Sequence, residues 1–307
     1  MERKVVVIAG PTASGKSELG IILARKLNGE IISADSRQIF KGMNIGTATP
    51  SEEELKEIPH HFINDFYPDE EFNASKFEIS ALKLIEKIFQ GEKIPVVVGG
   101  SGLYVRALVD GIMDIVDADK EYREYLHSIR NEKGNEELYK LLEKTDPEAA
   151  EKMLPQNWKR VMRALEVFHL SGKSILQLQK EYKREAKFDF ILIGIDWERS
   201  VLYERIEKRV DEMINAGLVD EVKSLLNAGY SKDLNALNTV GYKEIIAYLE
   251  GEYDLNRAVE LIKRNTRRFA KRQLTWFRKD ERIHWFKIKN RNELKGVAED
   301  IINRFGL

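Results

Sequence analysis

No cysteine occurs among the 307 residues. That excludes disulfides, cysteine nucleophiles and zinc sites built on thiolates, and it suits a reducing compartment. An unbroken apolar run of about 18 residues, the length a membrane-crossing helix needs, is also missing. The first apolar run, Val5–Ala9, starts so near Met1 that no signal or transit peptide is expected before it, and a cytoplasmic protein is expected. Neither sign of charge is in excess: 50 Lys+Arg stand against 51 Asp+Glu, so the net charge of −1 points to no partner. Internal repeats and low-complexity tracts are absent as well. With 43% hydrophobic residues the chain can build a substantial core, and wholesale disorder is not expected.

What is present begins with Gly10-Pro11-Thr12-Ala13-Ser14-Gly15-Lys16-Ser17, which fits G-x-x-x-x-G-K-[ST]. The run before it reads as a buried strand, and Leu19, Ile22, Leu23 and Leu27 after it read as the inner stripe of a helix. A strand, a glycine loop and a helix start aim several backbone N–H groups and the positive helix end at one point. Lys16 adds a mobile positive charge, and the Ser17 hydroxyl suits a magnesium ion bridging phosphate oxygens. The segment is expected to bind a diphosphate or polyphosphate. The motif leaves open which compound binds, and whether its phosphate is transferred, hydrolysed or released.

The expected fold class is α/β: a P-loop NTPase-like parallel sheet core flanked by helices, with an inserted all-helical subdomain. Strands are expected over about 4–9, 30–34 and 94–98, and again over Phe190–Asp196 and Ile283–Ile288. A helix over 74–90 has Ser75 and Glu78 at capping-box spacing. Composition turns highly charged and helical in period near residue 112. Residues 1–112 and 190–307 are therefore expected to form the core with its C-terminal helices, and 113–189 the helical insertion. Helical patterns also cover 199–227, 243–250, 255–279 and 292–304.

Asp35 ends the second strand, and in a parallel sheet that end lies on the same rim as the glycine loop. A carboxylate there can hold magnesium, act as a general base, or cap a helix. A phosphoryl-transfer enzyme needs a further acid at the end of another apolar strand. The strand Val96–Val98 ends instead in Gly99-Gly100, with Ser101 offering a hydroxyl beside Asp35; Asp196 is the formal alternative.

Charge is segregated. Residues 257–279 hold nine Lys/Arg and one acid, Glu260, a local +8 that leaves −9 for the rest. The segment reads as a helix with Ile262, Thr266, Phe269, Gln273 and Trp276 as an inner stripe and arginines outside. Clustered cations and aromatics fit a nucleic acid, which needs partners for phosphates and for stacked bases; a merely solvated basic face is the plainer alternative.

GPTASGKS at 10–17, ISADSRQIFKGMNIGTATP at 32–50, His60-His61-Phe62-Ile63, VVVGGSGLYVRAL at 96–108 and NWKRVMRALEV at 157–167 resemble, in this order, the signatures of the tRNA dimethylallyltransferase family. RIEKRVDEMINAGLVDEV at 205–222 and VGYKE at 240–244 extend the resemblance, which runs from residue 5 to about 280. The family more often has Thr where this chain has Ser101, and the hydroxyl is kept. The zinc finger of eukaryotic relatives is missing, as the lack of cysteine requires, so the bacterial form is the one resembled.

The resemblance implies transfer of a dimethylallyl group from its diphosphate to N6 of the adenosine on the 3′ side of the anticodon in tRNA. On that reading residues Gly10 to Ser17, with magnesium at Ser17 and a contact from Arg205 or Arg209, hold the diphosphate as a leaving group. Asp35 is the general base, and Ser101 orients the amine. Asp35, Ser36, Arg37, Gln38 and Ser101 meet the flipped-out nucleotide. Arg123, Lys159, Arg160, Val161, Met162 and Arg163 meet the anticodon loop, and Arg264, Arg268 and Arg272 the RNA phosphates. A monomer is expected. The rival readings are a small-molecule P-loop kinase, an adenylate isopentenyltransferase acting on free nucleotides, and a non-catalytic RNA-binding module. The first two leave the basic segment without a task, and an intact Lys16 and Ser17 argue against the third.

Other signals read as structure. His60 and His61 lack further ligands at metal spacing, and His127, His169 and His284 stand alone. Trp158, Trp197, Trp276 and Trp285 read first as core anchors, although arginines flank Trp158 and Trp276. Asp69-Glu70-Glu71 reads as solvated surface.

Overall fold

Val5, Val6, Val7, Ile8 and Ala9 are all fully buried, so the strand they form is covered on both faces. That strand belongs to a six-stranded parallel sheet in the computed structural model, which describes residues 3–112, 119–182, 184 and 187–307. The elements run β1 (Lys4–Ala9), α1 (Lys16–Lys26), β2 (Gly29–Ser33), α2 (Glu52–Glu57), β3 (His60–His61), α3 (Ala74–Gln90), β4 (Ile94–Gly99) and α4 (Gly102–Asp110). Then come α5 (Lys120–Thr145), α6 (Pro147–Glu151), α7 (Trp158–Ser171) and α8 (Ile175–Glu181). The chain closes with β5 (Asp189–Trp197), α9 (Arg199–Asn215), α10 (Leu218–Asn227), α11 (Tyr242–Leu249), α12 (Leu255–Phe277), β6 (His284–Ile288) and α13 (Leu294–Phe305).

The sheet order is β3-β2-β4-β1-β5-β6. Val6 pairs with Val96 of β4 on one side and Ile191 of β5 on the other. One face packs on α1 and α13 through Leu19, Leu23, Leu294 and Ile301. Because every strand runs the same way, the loops after β1, β2 and β4 emerge on one rim, where parallel sheets bind ligands. A second apolar cluster sets the loop after β2 against α10, α11 and α12, through Ile39, Met43, Leu218, Val222, Tyr242 and Ile262.

The chain divides into two compact units, Met1–Asp110 with Ala186–Leu307, and Gly111–Glu185. The expected first residue of the insertion, 113, lies outside the described residues. The second unit is all helical where described and has its own core of Leu126, Leu138, Leu142, Val161 and Leu165. Among the described residues no helix is long and apolar enough to cross a membrane.

Two sequence expectations are corrected. Asn73, not Ser75, caps α3: its side chain accepts from Lys76 N at 2.9 Å, and Ser75 and Glu78 are buried inside the first turns. The helix starts two residues earlier than a capping box at Ser75 and Glu78 implies, which leaves both residues buried within it. On α12 the inner stripe is Ala258, Ile262, Ala270, Gln273 and Phe277. Phe269 and Trp276 are instead 40% and 44% exposed. Ala270 and Phe277 take the inward positions expected of Phe269 and Trp276, while Ile262 and Gln273 face inward as expected.

Candidate active site

The loop after β1 is held from outside by three side chains. Trp197 Nε1 donates to Ser14 O at 2.8 Å, Arg205 Nε donates to Ala13 O at 2.9 Å, and Thr12 N donates to Gln273 Oε1 at 2.9 Å. Arg205 also stacks over the Trp197 ring, 4.3 Å from its centroid. Gly15 has φ of +89°, which turns the chain into α1 so that Lys16 opens the helix. Lys16 Nζ donates to Pro11 O at 2.5 Å across the loop.

The loops after β2 and β4 are tied together. Ala34 N donates to Val98 O at 2.8 Å, Ser101 N to Ala34 O at 3.2 Å, and Ser36 N to Ser101 Oγ at 2.9 Å. Asp35 caps no helix. It closes a turn, with Oδ1 accepting from Arg37 N at 2.8 Å. Gln38 is fixed at both ends of its amide: Ser33 Oγ donates to Oε1 at 2.9 Å, and Nε2 donates to Thr47 O and Ala48 O at 3.3 and 3.1 Å.

Lys16, Ser17, Asp35, Ser101 and Arg209 line one cavity of about 370 Å³. Thr12, Ser36, Arg37, Gln38 and Arg272 line it too. Gly10, Pro11, Ala13, Ser14 and Gly15 form the body of the loop behind it, and Arg205 stands outside the lining, bound to that loop. Asp35 is the carboxylate among the described lining residues. Asp196, the formal alternative acid, stands outside the lining and pairs with Arg278 at 2.9 Å. His60 also lines the cavity, with Nδ1 bonded to Ile58 O at 2.7 Å, while His61 Nε2 sits 2.7 Å from Glu30.

The cavity crowds positive charge. Loss of hydration, reinforced by the Arg209 guanidinium, lowers the Lys16 pKa to about 7, with Asp35 pulling the other way. Burial disfavours the charged forms of Arg209 and Arg37 also, and Asp35 opposes it in both. Burial raises the Tyr104 phenol to about 12 against the pull of Arg37. One carboxylate thus faces three desolvated cations, an arrangement that welcomes a further anion.

The basic helix α12 uses its cations in two ways. Arg257, Lys263, Arg267 and Arg278 of the basic segment pair with Glu260, Asp211, Glu207 and Asp196 at 2.8, 2.7, 2.5 and 2.9 Å. Among the described residues Arg264, Arg268, Lys271, Arg272 and Lys279 enter no ion pair. Arg268, Lys271, Arg272 and Lys279 line a shallow surface concavity with Trp276.

In the helical unit, Lys159 and Arg160 are exposed, whereas Val161 and Met162 pack into the core and offer no side chain to solvent. Arg123 and Arg163 share the buried carboxylate of Glu166, with Arg123 Nε at 2.9 Å and Arg163 Nη1 at 2.6 Å. Trp158 carries the Arg130 guanidinium 3.9 Å from its ring centroid.

Sequence reasoning passed over Gln273 as a site residue. The available signal was an amide on an otherwise apolar stripe, since a buried amide must find partners. It also passed over the Trp197–Arg205 clamp, whose partners lie far away in the chain and carry no local signature.

The family model for IPP transferase matches residues 38–280. A tRNA dimethylallyltransferase of Acetivibrio thermocellus is 50% identical over 302 residues, covering 97% of this chain and 95% of that protein. Another from Alkaliphilus oremlandii is 47% identical over 307 residues, covering 99% and 98%. Among solved structures, the tRNA isopentenylpyrophosphate transferase of Bacillus halodurans is 39% identical, with a TM-score of 0.73 and coverage of 99% and 97%. A eukaryotic dimethylallyltransferase acting on tRNA is 29% identical, with a TM-score of 0.84 and coverage of 98% of this chain and 80% of that one.

Proposed function

The chain belongs to the IPP transferase family, and from that premise we propose that its cavity moves a dimethylallyl group from dimethylallyl diphosphate to N6 of the adenosine 3′-adjacent to the anticodon in tRNA. The bond from the allylic carbon to the diphosphate oxygen breaks, and the bond from that carbon to N6 forms. The amine proton passes to Asp35, and diphosphate leaves. One observation carries this reading: a carboxylate, Asp35, lines the same cavity as the cations Lys16 and Arg209.

The division of labour follows from the charges. The loop N–H groups, Lys16 and Arg209 stabilise the negative charge that grows on the departing diphosphate. Adenine N6 is a weak nucleophile because its lone pair is delocalised into the ring. A carboxylate taking its proton contributes roughly 10²- to 10⁴-fold in such catalysis. Ser101, joined to the Ser36 amide at 2.9 Å, sits beside Asp35 to orient the amine. The base must be flipped out of the anticodon loop to reach them. Arg205 serves as a support of the loop and Arg209 as the contact to diphosphate.

Ser17 would hold a magnesium ion together with diphosphate oxygens. The donor set fits: magnesium takes hard oxygen ligands and is usually held by few protein groups plus phosphates. When bound, the ion neutralises charge on the leaving group.

For the RNA, the exposed cations Arg268 and Arg272, with Arg264, meet backbone phosphates. Arg123, Lys159, Arg160 and Arg163 of the helical unit meet the anticodon loop; Val161 and Met162 contribute by packing that surface from within. The enzyme works as a cytoplasmic monomer, in keeping with an RNA substrate. The test is a transfer assay with magnesium and dimethylallyl diphosphate, run on unmodified tRNA and on AMP in parallel. Prenylated adenosine is expected in tRNA alone; efficient prenylation of AMP, or none of either, would overturn the reading.

A further inference from the structure

Glu221, in the first turn of α10, accepts four hydrogen bonds on one carboxylate. Asn44 N and Ile45 N donate to Oε2 at 2.8 and 2.7 Å, and Gly46 N donates to Oε1 at 3.0 Å. The Tyr242 hydroxyl donates to Oε1 at 2.6 Å. Three successive amides converging on one point form a cradle for an anion. Here a side chain 175 residues beyond Gly46 fills it. The start of α10 favours the carboxylate charge there.

The contact is tight as well as polar. Tyr242 is fully buried, and a Cβ at Gly46 would stand 2.4 Å from Tyr242 Cε2. Any side chain at 46 would therefore push loop and ring apart. The loop held in this way runs straight into the cavity, where Gly46, Thr47, Ala48 and Pro50 form part of the wall. Its carbonyls then act on two site residues. Thr47 O and Ala48 O accept both Gln38 amide hydrogens, and Arg209 Nη2 lies 3.5 Å from Thr47 O.

We infer that Glu221 is a positioning residue for the transfer: with Tyr242 it fixes the 44–48 wall, and through that wall the Arg209 guanidinium and the Gln38 amide. The inference rests on the proposed reading of the cavity and adds to it a residue that touches no substrate. Arg209 serves the departing diphosphate, so its misplacement is felt chiefly in donor binding.

The test compares wild type with Glu221→Gln, Glu221→Ala and Tyr242→Phe. Steady-state transfer to unmodified tRNA, inhibition by inorganic diphosphate, tRNA affinity and thermal melting are measured for each. The Gln side chain keeps the volume but sets an NH₂ group against backbone donors. For it, KM for dimethylallyl diphosphate and Ki for inorganic diphosphate are expected to rise about tenfold or more, the scale on which misplaced site geometry acts. The affinity for tRNA, carried mainly by cations away from this wall, changes by far less than these two constants. Tyr242→Phe, which removes one bond of the four, shifts both constants in the same direction by less. A role in folding alone would lower melting temperature or active fraction while KM and Ki per folded molecule stayed at wild-type values; that result overturns the inference. Should Glu221→Ala not fold, the other two variants decide. Absence of transfer by wild type defeats the proposed function itself, whereas wild-type transfer with an indifferent Glu221→Gln defeats only this inference.

Discussion

Gln273 Oε1 accepts the Thr12 N–H at 2.9 Å, and the same amide donates from Nε2 to Gly100 O at 2.9 Å. One side chain of α12 thus links the glycine loop after β1 to the one after β4, and it is 8% exposed. Removing it strands a donor and an acceptor, at about 1–3 kcal/mol for each buried group left unpaired. Gln273→Ala is therefore expected to lower unfolding stability in urea by a few kcal/mol and to raise KM for the diphosphate donor. Gln273→Glu is a sharper probe. Ionised, it accepts from Thr12 but cannot donate to Gly100, and burial raises its folded pKa. Its stability is then lost as pH rises through that pKa, so Gln273→Glu should fall below Gln273→Ala at pH 8 and recover toward it at acid pH. Equal stabilities of the two variants at both extremes would remove the bridge from the account.

Asp35 offers an unusually clean substitution. Its turn bond to Arg37 N uses Oδ1 at 2.8 Å, and asparagine keeps that oxygen. Asp35→Asn therefore preserves the turn and removes only the charge and the basicity. Turnover is expected to drop by roughly 10²- to 10⁴-fold, the range of general base catalysis. Affinity for tRNA, measured by filter binding, should change little. A rate close to wild type would take the proton-accepting role away from Asp35.

Much of this site was legible beforehand because its parts are contiguous. Gly10 to Ser17, Asp35 to Gln38 and Gly100 to Gly102 each follow a strand, and parallel strands deliver their ends to one rim. What was not legible depends on packing between distant segments. Periodicity alone could not tell Phe269 from Ala270 as the inward residue of α12, since a helix face is defined only once its neighbour is known. The same holds for Arg205 and Arg209, four positions apart on α9. One reaches back to the loop carbonyl of Ala13 and the other opens on the cavity. Glu221 was out of reach for a third reason: three of its four partners are main-chain amides, which no side-chain pattern records.

The Lys16 ammonium gives the site a pH signature. Its folded pKa of about 7 lies below the ordinary 10.5. Between those values the unfolded chain holds a proton that the folded chain has released. Stability of the unliganded protein should therefore rise with pH across that window, with the full penalty present below pH 7. A bound diphosphate supplies the missing negative charge and restores the proton, so binding takes one up above pH 7 and weakens as pH climbs. Titration calorimetry at pH 8 with a non-reactive prenyl diphosphate analogue, in two buffers of different ionisation enthalpy, measures that uptake. Lys16→Met should abolish it. Binding without proton uptake in the unaltered protein would mean that Lys16 is already charged before the ligand arrives.

The division of cations on α12 predicts which ones respond to salt. Each cation that neutralises a phosphate adds about 0.7–0.9 to the slope of log affinity against log salt concentration. Arg268 and Arg272 are exposed and carry no ion pair among the described residues, so their Ala variants should each flatten the slope for tRNA by about that amount. Arg267 already neutralises Glu207 at 2.5 Å. Its loss should leave the slope near the wild-type value while exposing an unpaired acid on α9. Measuring all three slopes under identical conditions separates a phosphate-binding face from general positive charge. If Arg267→Ala flattened the slope as much as Arg272→Ala, the helix would be acting through its total charge, and the distinction between its two faces would carry no weight for RNA binding.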